Sequence, residues 1–318
     1  MVKYAACYPG QGAQKPRMAL DLYDQSQAVQ HLFSLASDIT GRNLHQLLET
    51  ADDEVLKQTE ITQIAVTLAN RSAAVVLHEE GINPECHAGF SLGELSAYAG
   101  AQVLSDEDLF AIVAKRGALM AKASEESATR HGTLGMAAII GLGFNAVERV
   151  LAEREAKQLY CANDNGPLQV VISGLAAEIE RCTEALKTAG ARRVIPLRVS
   201  GPFHTPLMQE AQDEFSEFLS QFSFHDPHVP LYATVTGSRV ATGEEVRDLC
   251  VRQLSSPVRW TTIMQHLVDT EQVTATIEAG PGSVLSGLWK SSGYTMTCLP
   301  AGTADDIRSI VREELSHE

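Results

Sequence analysis

The order of elements between residues 132 and 199 constrains this chain more than any other feature. A strand at MAAIIGL (136–142) is followed by a helix over 145–156, strands at LYCAND (159–164) and QVVISG (169–174), a helix over 176–188 and a strand at RRVIPLRV (192–199). That β-α-β-β-α-β order is ferredoxin-like: two helices cover one face of a four-stranded antiparallel sheet. On both sides of it the chain alternates strand with helix, which demands a mostly parallel sheet buried between helices. The expected fold is therefore α/β in two parts, a large body from residues 1–131 and 200–318 and a small inserted unit at 132–199. With 318 residues the chain is long enough to bury a core in each.

Within the large body, KYAACY (3–8) reads as a buried strand stopped by Pro9-Gly10-Gln11-Gly12-Ala13-Gln14. This loop lacks both the phosphate-loop and the dinucleotide glycine patterns, so no nucleotide is expected there. Helical spacing of apolar residues predicts one or two helices over 18–37, and 62–78 is apolar on most faces, as suits a helix inside a larger body. Further helices are expected over 92–100, 106–123, 207–222, 244–254, 260–268, 284–290 and 304–315. Strands are expected at 86–89, 230–236, 275–278 and 294–299. Asn163-Asp164-Asn165-Gly166-Pro167 reads as a turn between the two middle strands of the inserted unit, facing a cleft.

Gly89-Phe90-Ser91-Leu92-Gly93 is a G-x-S-x-G pentapeptide between a short apolar run and a helix-like stretch. As a nucleophile elbow it lifts Ser91 clear of its neighbours and points the free N–H groups of the following helix toward developing negative charge. Pro202-Phe203-His204-Thr205-Pro206 braces a histidine between prolines, and Arg116 stands mid-helix, where a lone arginine is ordinarily a solvated side chain or a surface ion pair. His225-Asp226-Pro227-His228 offers two metal ligands with no third nearby, and the six cysteines are scattered without zinc spacing; no metal is expected. A formal net charge of −15 argues against nucleic-acid or anionic-membrane partners. With no long apolar segment and cysteines that read as reduced core residues, the cytoplasm is the expected compartment.

Taken together, YPGQGAQ (8–14), GFSLGE (89–94), KRGALM (115–120), MAAIIGL (136–142), NDNGPLQVVISG (163–174), SGPFHTPLM (200–208), QLSSPVRW (253–260) and EAGPGSVLSGL (278–288) resemble the malonyl-CoA:acyl carrier protein transacylases of fatty-acid synthesis and the related acyltransferase domains of polyketide synthases. The resemblance runs nearly end to end. It implies a hydrolase-like α/β domain with a ferredoxin-like insertion, Ser91 as nucleophile, His204 as base, and an oxyanion hole from the backbone N–H groups of Gln11 and Leu92. It further implies that Arg116 holds the substrate's distal carboxylate, that the backbone carbonyl of Gln253 orients the histidine, and that Asn163 and Phe203 support the site. Phe203 is similar to the aromatic residue of malonyl-selective domains, where the ring crowds an α-methyl group; such a contact is worth about 1–3 kcal/mol. The chain departs from the resemblance at Phe90, where the family usually carries histidine.

The implied reaction is ping-pong: Ser91 takes malonyl from malonyl-CoA and passes it to the phosphopantetheine thiol of an acyl carrier protein, with no bound cofactor. Because carrier proteins of this kind are acidic, Arg192, Arg193, Arg198, Arg252, Arg259 and Lys290 are expected to form a basic rim around the cleft. A serine esterase or thioesterase would use the same elbow with water as acceptor, but Arg116 and the inserted unit count against it. A non-enzymatic acyl-CoA-binding subunit would bind without a covalent intermediate, and the joint presence of Ser91, His204 and Arg116 counts against that. A stand-alone acyltransferase for a polyketide assembly line would share all of these residues. A monomer is expected.

Overall fold

The computed structural model describes residues 2–197 and 201–317. Arg198 and Ser200, part of the expected basic rim and of the SGPFHTPLM stretch, lie outside the described residues.

Strands β1 (Tyr4–Tyr8) and β2 (Cys86–Gly89) are fully buried. The inserted unit contributes β3 (Leu134–Ile140), β4 (Leu159–Gly166), β5 (Gln169–Leu175) and β6 (Arg193–Leu197). The chain then adds β7 (Leu231–Tyr232), β8 (Arg239–Val240), β9 (Val258–Arg259), β10 (Ala275–Glu278) and β11 (Thr297–Pro300). One sheet runs β11-β10-β1-β2-β7-β8, parallel throughout except for the final β7–β8 hairpin. The other runs β6-β3-β5-β4-β9; its first four strands are antiparallel in the ferredoxin-like order, and β9 joins β4 in parallel. The fold class is thus the one the element order predicted, with a strand from beyond the insertion completing the small sheet.

Helix Thr59–Glu79 is buried along most of its length, as its all-round apolarity required. Helix Asp106–His131 packs beside it and runs a further two turns beyond the expected end, stopping at Gly132, whose φ of 99° ends the helix. The region 18–37 resolves into two helices, Leu20–Gln25 and Gln27–Thr40, with the Ser26 hydroxyl accepting from the Val29 N–H at the second one's start.

Three expectations are corrected. Asn163–Gly166 belongs to β4 rather than to a turn: two bulges absorb the residues that composition assigned to a loop, and the connection shrinks to Pro167-Leu168. The strand expected over 230–236 ends at Tyr232, because the Thr234 N–H donates to the Glu94 carboxylate and the Gly237 N–H turns back to the Ala233 carbonyl. The last strand begins at Thr297, three residues later than its apolar pattern suggested. Short helices at Leu44–Thr50 and Asp53–Leu56 and the two-residue strands β8 and β9 fell below what periodicity can register.

Candidate active site

The elbow forms where β2 hands the chain to helix Gly93–Gly100. Ser91 is held at φ 52°, a left-handed conformation that costs a non-glycine residue on the order of 1–3 kcal/mol and is sustained only by its surroundings. Those surroundings leave no slack. A Cβ at Gly93 would lie 2.0 Å from the Tyr8 carbonyl oxygen, and one at Gly10 would lie 2.3 Å from the Phe90 carbonyl oxygen. The loop after β1 is thereby pressed directly onto the elbow. Among the described residues, neither the Gln11 N–H nor the Leu92 N–H has a hydrogen-bond acceptor.

His204 reaches Ser91 from the far side of the chain, its Nε2 lying 2.7 Å from the Ser91 Oγ. It too is left-handed, at φ 60°. Its backbone N–H donates to the Leu254 carbonyl, and Thr205 braces the loop by donating to the Pro202 carbonyl. The Nδ1 lies 2.9 Å from the Gln253 carbonyl oxygen, an acceptor that requires the hydrogen on Nδ1 and leaves Nε2 free to take the serine proton. Burial, with the Arg116 charge as a second cause, pulls the imidazole down to about 4. It is therefore a neutral base across the physiological range.

Arg116 is completely buried and does not itself line the cleft. Its Nη1 donates to the Gln63 Oε1 at 2.6 Å and its Nη2 to the Gln253 Oε1 at 2.7 Å, while its Nε has no partner among the described residues. Among the described residues no carboxylate pairs with it directly. Desolvation lowers its pKa to about 10, which still leaves it a cation.

Around the serine lies a cleft of about 480 Å³ lined by Gln11, Gln63, Phe90, Asn163, Phe203 and His204, among others. The structure places the expected catalytic and substrate-binding residues around this cleft: Ser91 on His204 and His204 on the Gln253 carbonyl, Gln11, Asn163 and Phe203 in the wall, and Arg116 behind it, bonded to Gln63 and Gln253. Phe90 stacks edge-on against Trp260, with ring centroids 5.6 Å apart, and so makes an apolar wall. Asn165, in the segment expected to face a cleft, lines it beside Asn163, whereas Gln63 and Glu94 were not anticipated. Gln63 did leave a signal: Gln63, Thr67 and Asn70 recur at helical spacing and all three are buried, Gln63 in the wall of the cleft and the Asn70 amide donating to the Pro9 carbonyl.

A half-buried serine hydrogen-bonded to a buried imidazole and carbonyl, beside two unengaged N–H groups, can form and break an ester, and a guanidinium behind the wall can select an anionic acyl group. Known proteins fit that reading. The model of the acyl transferase domain family matches residues 7–297. Relatives include the malonyl CoA-acyl carrier protein transacylases of Staphylococcus aureus (strain MRSA252), 37% identical over 97% of this chain and 98% of that one, and of Bacillus subtilis (strain 168), 38% identical over 98% and 97%. Solved structures include a malonyl-transacylase in complex with its type II polyketide acyl-carrier protein, 34% identical with a TM-score of 0.91 over 98% of this chain and 99% of that one. Another is an acyl carrier protein S-malonyltransferase from Vibrio cholerae O1 biovar eltor, 35% identical with a TM-score of 0.90 over 97% and 99%.

Proposed function

Because the chain belongs to the malonyl-CoA:acyl carrier protein transacylase family, we propose that it moves malonyl from malonyl-CoA to the phosphopantetheine thiol of an acyl carrier protein, supplying fatty-acid synthesis, through a malonyl-Ser91 ester. The observation that carries the reading is the unbroken chain from Ser91 Oγ through His204 to the Gln253 carbonyl, set beside a buried arginine.

Neutral His204 takes the Ser91 proton as Oγ attacks the thioester carbon, and the Gln11 and Leu92 N–H groups receive the oxyanion. Collapse expels CoA as its thiol, protonated by the imidazolium. The carrier thiol then repeats the sequence in reverse: His204 takes its proton, sulfur attacks the ester, and Ser91 leaves with the proton returned. Arg116 holds the malonyl carboxylate throughout, displacing its contact with Gln63. Phe203 and Phe90 wall the acyl group, and Asn163 offers its amide to the chain above it. Nucleophile, proton carrier and oxyanion donors all come from the polypeptide, so the proposed chemistry calls on no metal or redox cofactor. We assign residues 1–131 and 200–318 to the catalytic body and 132–199 to the inserted unit. The compartment we propose is the cytoplasm, whose reducing conditions suit six cysteines that are all free.

The direct test is intact mass after brief mixing with malonyl-CoA. A malonyl adduct that disappears when an acyl carrier protein is added supports transfer. Free malonate in place of malonyl-carrier would mean a thioesterase instead. Supplying carriers from fatty-acid and polyketide systems in parallel distinguishes the two pathways by kcat/KM.

Two further outcomes are expected. The acid limb of kcat/KM for malonyl-CoA should fall near pH 4, tenfold per unit below it, because the enzyme's imidazole stays neutral down to about that value. In kcat the limb should sit higher, since a bound carboxylate cancels the Arg116 charge that helps hold the imidazole down. A break near 6.5 in kcat/KM, measured by pH-jump stopped flow, would contradict the buried neutral base. The second outcome concerns the carrier. Of the expected rim, Arg259 is committed to the Phe144 ring and Arg252 to Asp248, whereas Arg192, Arg193 and Lys290 are exposed without an ion-pair partner among the described residues. Arg193→Glu with Lys290→Glu should raise the KM for carrier about tenfold while leaving malonyl-CoA hydrolysis unchanged, a pattern expected of rim charges. Equal effects on both would remove these side chains from carrier docking.

A further inference from the structure

Gln253 does two separate jobs in this site. Its backbone oxygen orients His204, and its side-chain oxygen accepts from Arg116 Nη2 at 2.7 Å, while its Nε2 donates to the Ser91 carbonyl at 3.1 Å and to Glu94 Oε2 at 2.7 Å. An amide turned over about its last bond keeps its shape but exchanges donor for acceptor, so something must decide which way it faces.

Glu94 decides it. Its carboxylate is wholly buried in the first turn of helix Gly93–Gly100, where burial raises its pKa, and among the described residues its oxygens meet only donors, whose hydrogen bonds oppose that rise and support the anion. Oε1 accepts from the Tyr98 hydroxyl at 2.6 Å; Oε2 accepts from the Thr234 N–H at 3.0 Å, from the Thr234 hydroxyl and from Gln253. A turned amide would place Gln253 Oε1 against the carboxylate and its NH₂ against the guanidinium, two repulsive contacts in a medium where buried polar mismatches are costly. We infer that Glu94 is a positioning residue: a buried anion that fixes the side-chain amide of Gln253 and through it aims Arg116 at the distal carboxylate of the acyl group. This rests on the role proposed above for Arg116.

The spacing has a chemical purpose. Arg116 and Glu94 amount to a buried ion pair with one amide inserted between them. Direct contact would occupy the guanidinium fork with a resident carboxylate and exclude the substrate's. With the amide between, the negative charge still favours the cation, yet only one N–H is taken from that side.

The test compares acylation of the enzyme by malonyl-CoA and by acetyl-CoA, using rapid-quench intact mass, for the wild type, Glu94→Gln and Glu94→Ala. Acetyl has no distal carboxylate, so its rate reports Ser91, His204 and the oxyanion donors alone. The malonyl-to-acetyl ratio should fall about tenfold in Glu94→Ala and about threefold in Glu94→Gln, which keeps an acceptor for the donors but loses the charge, with acetyl rates changed less than about threefold. Parallel losses for both donors, or an unmoved ratio, would overturn the inference. Thermal melts establish folding, and if Glu94→Ala does not fold, the Glu94→Gln ratio decides by the same criterion. A wild type that forms no malonyl adduct would sink the parent reading, whereas a selective wild type with equally selective variants would sink this one alone.

Discussion

Ser91→Ala should form no malonyl adduct and should lose about five to six orders of magnitude in malonyl transfer, as nucleophile deletions do where serine and histidine act as a unit. The fold should survive. The Ser91 hydroxyl is bonded to His204, while the groups that hold the elbow in shape are backbone: the Ser91 carbonyl accepts from the Glu94 N–H and from Gln253 Nε2, and alanine retains it. What alanine does not relieve is the left-handed backbone at φ 52°. Ser91→Gly, equally inactive, should therefore be more stable than Ser91→Ala by about 1 kcal/mol, since glycine enters that region without penalty. Adduct mass spectrometry and paired thermal melts check both halves. A residual adduct on Ser91→Ala would place the acyl group on another residue and dismantle the mechanism, and equal stabilities would mean the elbow is not strained.

The sequence made this pair of residues readable for unequal reasons. Ser91 carries a local signature, because the turn that exposes it needs small residues on both sides. His204 lies 113 residues away, and its spacing from Ser91 contains nothing that implies contact; only a resemblance spanning both stretches joins them, and the structure closes the gap at 2.7 Å. The inserted unit was legible because a helix and a strand differ in period, so β-α-β-β-α-β survives errors of a few residues at each end. What failed was finer. Asparagine and glycine at 163–166 suggest a turn by composition, yet two bulges and pairing to β9 keep them in a strand, and β9 itself is two residues long. Pairing with a partner from elsewhere in the chain is tertiary information that local composition does not carry. Glu94 and Gln63 were missed for a related reason. A buried polar side chain is defined by what it bonds, and apart from Tyr98, one turn from Glu94, the partners here, Thr234, Gln253 and Arg116, are between 53 and 159 residues distant.

Arg116→Ala should lower kcat/KM for malonyl-CoA by about two to three orders of magnitude, the range for breaking a buried charge-assisted pair on one side. Acetyl-CoA should behave oppositely or stay level, because the carboxylate it lacks is the group that the guanidinium serves. Three features of the site sharpen this. The first is that alanine strands the Gln63 and Gln253 side-chain oxygens, both 2.6–2.7 Å from guanidinium nitrogens, so some loss of stability accompanies the loss of selectivity. The second is that Arg116→Lys keeps the charge but not the planar fork, and so should recover part of the malonyl rate without restoring two-point recognition. The third is the imidazole. Arg116 is one cause of the low His204 pKa, after burial, so Arg116→Ala should move the acid limb of acetyl-CoA acylation upward while Arg116→Lys leaves it closer to the wild-type position. That shift separates a lost charge from a collapsed pocket: damage to packing would slow both donors without raising the limb. Malonyl and acetyl rates falling together, with the limb unmoved, would show that the buried arginine braces Gln63 and Gln253 and does not choose the substrate.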